Sequence, residues 1–380
     1  MRNKSHPLQT DVRPDFELGT GAVRSVDLFS GCGGLTLGLA MAAAEQGLAL
    51  DVALALDESA AASAVFARNF TKARVEVGDI SAYFSSPLGT PLSGQEQKLA
   101  QSVGRVDVLL GGPPCQGNSN LNNHTRRDDP KNALYARMAR AAEVLKPRVV
   151  LIENVPSVVH DRAGVVSATK NALTDRGLAV ADGVVRLHDL GVAQRRRRHV
   201  MLALHADLAF DPAQLLVRSL PSPPRDLRWA IGDLQVDDAL PFERPSVPTA
   251  KNQARMAWLL ERDEYDLPNT LRPACHQNEH SYKSMYGRLR WDEPAQTITS
   301  GFGSMGQGRY VHPAEARTLT PHEAARLQGF PDYFSFEDVR GRSALATMIA
   351  NAVPPQLTAG LLSPVLPVLA TTPDSHTPAQ

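Results

Sequence analysis

Short apolar runs, each closed by a glycine or a polar residue and followed by a helical stretch, recur along the amino-terminal half of the chain. Residues 23–29 read as a strand, and Gly31-Cys32-Gly33-Gly34 turns it into an Ala/Leu-rich helix over 35–46 with Gly47 as its C-cap. A second strand, 52–56, ends at Asp57 and leads into an alanine-rich helix reaching about residue 69. A third, 75–77, ends at Gly78-Asp79-Ile80, and 85–104, rich in Ser, Pro, Gly and Gln, reads as a surface excursion. Residues 106–110, apolar but for Asp107, predict a buried strand stopped by Gly111-Gly112. Asp129-Pro130 opens a helix to about Leu145, with Asp as N-cap and Pro at the first helical position. The four apolar residues 149–152 predict a strand buried on both faces, followed by a helix over 165–177 and strands over 179–187 and 200–204. This alternation predicts an α/β protein with a doubly wound, mostly parallel sheet.

From about residue 207 prolines cluster and the alternation stops. The expected organisation is a flexible tail over 1–22, a main domain over 23–206, a small irregular domain over 207–300, a return to the main domain over 301–363, and a flexible tail over 364–380. Hydrophobic residues make up 43% of the 380, enough for a large core. Cys32, Cys115 and Cys275 lie too far apart for a disulfide framework or a zinc site, which points to a reducing cytoplasm and no metal. No stretch reaches the roughly 18 apolar residues of a membrane helix, and no signal-peptide core opens the chain. Forty basic and 40 acidic residues cancel, so any nucleic acid must be held by a local basic face.

The chemistry concentrates at strand ends. Cys115 follows Gly112-Pro113-Pro114, a rigid loop after a buried strand, and so faces the crevice where open α/β sheets bind ligands. It reads as a nucleophile rather than a small core residue. The glycine-rich turn at 31–34 brings backbone N–H groups to a ligand. Asp57 stands where an acid binds ribose hydroxyls, and Asp79 where one could meet an adenine amino group. Together they indicate an adenosine-containing cofactor without choosing among NAD, FAD and S-adenosylmethionine. Glu153 ends an apolar strand, where an unpaired carboxyl tends to keep its proton and suits a general acid. In Gln194-Arg195-Arg196-Arg197-Arg198, strand alternation puts Gln194, Arg196 and Arg198 on one face. Arg126 and Arg127 add positive charge beside the cysteine loop.

Taken together these segments resemble the DNA (cytosine-5) methyltransferases. Phe29-Ser30-Gly31-Cys32-Gly33-Gly34 resembles the family's methionine-binding motif, Gly112-Pro113-Pro114-Cys115-Gln116-Gly117 its nucleophile loop, and Glu153-Asn154-Val155 its acid motif. Gln194-x-Arg196-x-Arg198 fits its Gln-x-Arg-x-Arg element. The run from Arg317 to Pro331 is similar to the helix that braces the recognition domain, and Asn351-Ala352-Val353-Pro354-Pro355 to the last motif. Thr320-Pro321-x-Glu323 is also a helix-capping box in its own right. Asn118, where the family usually has an aromatic residue, and Ala350, in place of its usual Gly, depart from the pattern.

The resemblance implies a Rossmann-like, S-adenosyl-L-methionine-dependent methyltransferase with a target recognition domain, acting on a short double-stranded DNA sequence. It implies Cys115, Glu153, Arg196 and Arg198 as catalytic residues. Phe29, Gly31, Gly33, Gly34, Asp57, Asp79, Ile80 and Asn351 would bind the cofactor, and Pro114, Gln116, Asn154 and Gln194 the DNA or its base. The expected setting is the bacterial cytoplasm or nucleoid, as a monomer, with a cognate restriction endonuclease or defence system encoded nearby. Two other readings compete. A tRNA methyltransferase of the same fold would carry Cys-Phe-Thr in the recognition region, but the cysteine there lies in Ala274-Cys275-His276. A non-catalytic DNA-binding relative would lack the Cys or the Glu, and this chain keeps both.

Overall fold

The computed structural model describes residues 6–114, 133–161, 164–218, 223–237, 239–277 and 284–371. Its first elements are β1 (Ala22–Leu28), α1 (Gly34–Glu45), β2 (Ala49–Asp57), α2 (Ala60–Asn69), β3 (Val75–Val77), α3 (Ile80–Tyr83), α4 (Gly94–Val103) and β4 (Val108–Gly111). There follow α5 (Ala133–Leu145), β5 (Val149–Asn154), α6 (Val165–Thr174), β6 (Leu178–Arg186), β7 (Arg197–His205) and α7 (Pro212–Arg218). The rest is helical: α8 (Leu227–Ile231), α9 (Ala250–Glu261), α10 (Pro321–Leu327), α11 (Arg342–Asn351), α12 (Gln356–Leu362) and α13 (Leu366–Thr371).

The strands form one sheet in the order β3-β2-β1-β4-β5-β7-β6. β1 to β5 pair in parallel, and β7 runs antiparallel to both β5 and β6. Every residue of β4 and β5 is buried, which is why Val108–Leu110 and Val149–Ile152 are unbroken apolar runs rather than alternating ones. The chain packs as two compact units. A sheet unit comprises residues 13–186, 197–218 and 355–371, and a second unit 6–12, 187–196 and 223–354. Leu28, Leu54, Leu109, Ile152 and Met201 from the strands meet Phe84, Val103, Met138 and Leu145 in the sheet unit's core. Met256, Leu259, Leu267, Tyr286, Met305 and Val311 form a smaller core in the second.

Three expectations need correction. Residues 6–22 are tied down: Leu8 and Phe16 are 2% exposed, the Leu8 carbonyl accepts from Asp332 N, and the Phe16 carbonyl from Leu50 N. The excursion at 85–104 contains α4, started by a capping box in which Ser93 and Glu96 bond each other's backbone N–H. Glu96 is fully buried and takes two hydrogen bonds from Arg140, at 2.6 and 3.0 Å, which hold its carboxyl down at about 2. The expected tail from residue 364 begins with α13, whose Leu366 and Leu369 are buried. The sequence missed all three because few apolar side chains, spaced through polar ones, do the anchoring.

One glycine shows how the late segment joins the sheet unit. A Cβ on Gly38 would stand 1.9 Å from the Pro355 carbonyl oxygen, so α1 and the start of α12 meet backbone to backbone. Gln46 at the end of α1 donates to the carbonyl and hydroxyl of Ser363, at 2.8 and 3.0 Å.

Candidate active site

The turn between β1 and α1 is left-handed at Phe29 (φ 57°), Gly31 (φ 53°) and Gly33 (φ 97°). Phe29 pays a conformational cost there that glycine avoids, a type of strain that collects at ligand sites. A Cβ on Gly31 would meet nothing within 4 Å, so its backbone is open to an approaching ligand. One on Gly33 would press at 2.9 Å on Phe66 and Phe70, so that glycine serves packing. Gly34 is buried as the first residue of α1.

Asp57, at the end of β2, is hydrogen-bonded to this turn. Its Oδ2 accepts from Gly31 N at 2.9 Å and its Oδ1 from Ser59 N at 2.8 Å. Burial raises its carboxyl above the ordinary range despite these bonds. Each oxygen keeps a lone pair for a further donor such as a ribose hydroxyl. Ser30 Oγ is buried without a hydrogen-bond partner among the described residues. An open glycine, an acid with spare acceptors and an unsatisfied hydroxyl on one turn fit an adenosyl cofactor with a polar tail. Exposed Asp79 caps α3 by accepting from Ser81 N at 2.8 Å, while the Ile80 side chain packs into the core.

Two features here escaped the sequence reading. Asp27 in β1 is fully buried, accepts from Thr36 Oγ1 at 2.6 Å, and has its other oxygen unpartnered among the described residues. Burial pushes its carboxyl up to about 7, with nearby Asp57 adding repulsion against the hydrogen bond from Thr36. Its place in Val26-Asp27-Leu28, an acid inside an apolar strand, was the available signal. Burial likewise pushes the Cys32 thiol up to about 12, so Cys32 is no nucleophile at neutral pH.

β4 and β5 lie side by side, with Gly111 opposite Ile152. Asn154 Nδ2 donates to the Pro113 carbonyl at 3.1 Å, and Asn154 Oδ1 accepts from Val155 N at 2.7 Å. Asn154 therefore ties the end of β5 to the loop that carries Pro114, and its 4% exposure leaves it a positioning part. Cys115, Gln116, Asn118, Arg126 and Arg127 lie outside the described residues.

Glu153 ends an apolar strand, where a carboxyl is costly to bury unpaired. The structure supplies a partner: Arg198 Nε stands 2.5 Å from Glu153 Oε1, with the two side chains 13% and 9% exposed. Pairing of Glu153 with Val200 in the β5–β7 register puts Arg198, two residues before Val200, on the same face. On the opposite face His199, cross-strand from Asn154, bonds Asp182 at 3.1 Å, a contact the sequence could not show.

In the second unit the predicted alternation holds, with Gln194 and Arg196 buried and Arg195 exposed. Gln194, proposed above as a DNA contact, is held inside the protein. It is fully buried, its amide donates to the Leu327 carbonyl and Gln328 Oε1, and its oxygen accepts from Ile298 N, so these bonds knit it to the segments around it. Arg196 is 3% exposed and donates to the carbonyls of Ile298 and Ala350, which makes it a brace. The capping box of α10 is present in both directions, through Glu323 N to Thr320 Oγ1 and Thr320 N to Glu323 Oε2. Asn351 ends α11 and is exposed.

Residues 23–364 match the family model of the C-5 cytosine-specific DNA methylases. The chain is 43% identical over 353 residues to the type II methyltransferase M1.BsuMI of Bacillus subtilis, covering 92% of this chain and 82% of that protein. It is 31% identical to the type II methyltransferase M.Eco47II of Escherichia coli, covering 87% and 76% of the two. In fold it is similar to the crystal structure of the S. pombe Dnmt2 methyltransferase, with a TM-score of 0.62, 17% identity, and 91% and 99% of the two chains covered. The chain belongs to the C-5 cytosine-specific DNA methylase family and is a DNA (cytosine-5) methyltransferase.

Proposed function

We propose that the enzyme methylates C5 of a flipped-out cytosine in a short double-stranded DNA sequence, through a covalent bond between Cys115 and C6. The observation that carries this reading is the pairing of Glu153 with Arg198 next to the Asn154–Pro113 tie, at the strand end beside the cysteine loop. S-adenosyl-L-methionine, when bound, supplies an electrophilic methyl group. Asp57 and the turn from Phe29 to Gly34 would hold it, with Asp79 and Ile80 at its adenine.

C5 of cytosine is a weak nucleophile until C6 is attacked. The Cys115 thiolate forms a bond to C6, the C5=C6 π bond opens, and the electron pair spreads over C5 and N3. The Glu153 carboxyl, acting as the acid, gives its proton to N3 and takes it back when the ring is restored, while Arg198 meets O2, so charge developing on the ring falls on groups already fixed in place. Arg198 also orients the Glu153 carboxyl. Arg196, two residues upstream, acts as a brace rather than at the base. After C5 is methylated, loss of its proton restores the double bond and expels the thiolate. A base stacked in a duplex hides C6, hence the flipping.

The relatives' type II names support a cognate restriction endonuclease encoded nearby. Among the described residues no helix is long and apolar enough to cross a membrane, in keeping with work at DNA in the cytoplasm. Duplex DNA carrying 5-fluorocytosine tests the mechanism, because fluorine at C5 blocks the last step. A covalent adduct at Cys115 is expected. Trapping on RNA but not on DNA under the same conditions would overturn the reading.

A further inference from the structure

The second unit holds one arginine whose setting the chemistry above leaves unexplained. Arg290 lies over Tyr265, its guanidinium carbon 3.6 Å from the ring centroid. Arg288 covers the same ring at 4.7 Å, but its nitrogens are committed to the carbonyls of Pro313 and Leu259 and to Asp263. Tyr265 is a rigid platform, since its carbonyl accepts from Arg288 N at 2.9 Å and from Arg309 Nη1 at 2.8 Å. Arg290 itself makes no hydrogen bond among the described residues, and its side chain is 43% exposed. Among the described residues its one ion pair is with Glu293, at 3.7 Å, and that carboxylate is already engaged at 2.7 Å by Arg195, 54% exposed. Two exposed guanidinium groups thus share a single carboxylate. A guanidinium held against an aromatic ring has little further freedom to lose on binding, and its fork matches a pair of phosphate oxygens.

We propose that Arg290, fixed on Tyr265 and flanked by Arg195, grips a backbone phosphate of the DNA. This rests on the duplex DNA reading above. It explains how a chain of zero net charge holds a polyanion: the charge is placed and aimed rather than abundant.

The test uses the full-length protein and two fluorescein-labelled duplexes of unrelated sequence, titrated by anisotropy across a salt series. Arg290→Ala is expected to weaken binding about tenfold on both duplexes and to flatten the log–log salt slope by about one. Arg290→Lys keeps the charge and should restore the slope, while Tyr265→Leu, which frees the guanidinium, should weaken binding and leave the slope intact. Circular dichroism establishes that each variant is folded. Unchanged affinity and slope in Arg290→Ala would overturn the proposal. So would a loss confined to one duplex at constant slope, which marks base reading, or a failure of Arg290→Lys to restore the slope. Failure of the parent protein to bind either duplex would instead sink the DNA reading itself.

Discussion

Replacing Asp27 by Asn should change how the stability of the enzyme depends on pH. The carboxyl is fully buried and titrates at about 7 in the folded protein, against an ordinary value of 3.8. Below the ordinary value both folded and unfolded chains hold the proton, and the buried group costs nothing. As pH rises the unfolded chain ionises freely, whereas the folded chain must keep the proton or bury a charge. The stability present at low pH is therefore lost progressively until pH passes about 7, and the loss amounts to about 4 kcal/mol at 1.36 kcal/mol per tenfold change in proton affinity. Asn is neutral throughout. Its oxygen can still accept from Thr36, but its NH2 would point where Asp27 Oδ1 finds no partner, a fixed cost of about 1–3 kcal/mol. That fixed cost does not vary with pH, so the diagnostic is the trend of the difference, not its size at one pH. Urea unfolding followed by far-ultraviolet circular dichroism, parent beside variant from about pH 4.5 to 9, measures it. The variant should be the less stable at the acid end and gain on the parent by up to about 4 kcal/mol towards the alkaline end. A difference that stays flat across the range would refute a neutral, buried Asp27.

Further outcomes follow from other parts of the molecule. Cys115→Ser should abolish methyl transfer to DNA while leaving S-adenosylmethionine binding near normal, measured by labelled-methyl incorporation and by calorimetry; appreciable residual transfer would exclude the covalent route. Asp57→Ala should weaken that binding by about 1–3 kcal/mol, because the acid holds the Gly31 turn and is proposed to hold the cofactor. Burial alone would lower the His322 imidazole, but Asp332 at 2.7 Å and Glu243 at 2.6 Å raise it to about 9 from 6.5. Its contribution is full below pH 6.5 and lost as pH rises through 9, so His322→Gln should destabilise the protein at pH 6 and not at pH 10. All three tryptophans, Trp229, Trp258 and Trp291, lie in the same unit as His322, so indole fluorescence during unfolding reports on it. Glu96→Gln strips Arg140 of a buried partner and should cost about 3–5 kcal/mol in thermal or urea unfolding.

The sheet was legible because parallel strands buried on both faces cannot hide their composition: 106–110 and 149–152 announced β4 and β5 within a residue or two. Caps and turns were legible for a similar reason, since Thr320-Pro321-x-Glu323 and the glycines after β1 act through local backbone geometry. Partnerships across the chain were not. Arg198 meets Glu153 only because β7 runs antiparallel beside β5, a pairing the alternation of strands and helices does not specify. The same blindness hid the partners of Gln194. Its amide is consumed by Gln328, 134 residues away, and no local pattern distinguishes a glutamine aimed at DNA from one locked in packing.

The contact between Gly38 and Pro355 also sets an order of events during synthesis. The helix behind the cofactor turn has its cover, and the two hydrogen bonds from Gln46, only once Ser363 exists, 317 residues later in the chain. At about 5–20 residues per second, a ribosome needs roughly 15–60 s to make that stretch. Throughout that interval the first strands and α1 wait with a face open, while segments 187–196 and 223–354 of the second unit are made. A nascent enzyme therefore has its sheet long before it can close it. A chain stopped short of α12 would keep every residue proposed for catalysis and still lack the wall that holds α1 in place.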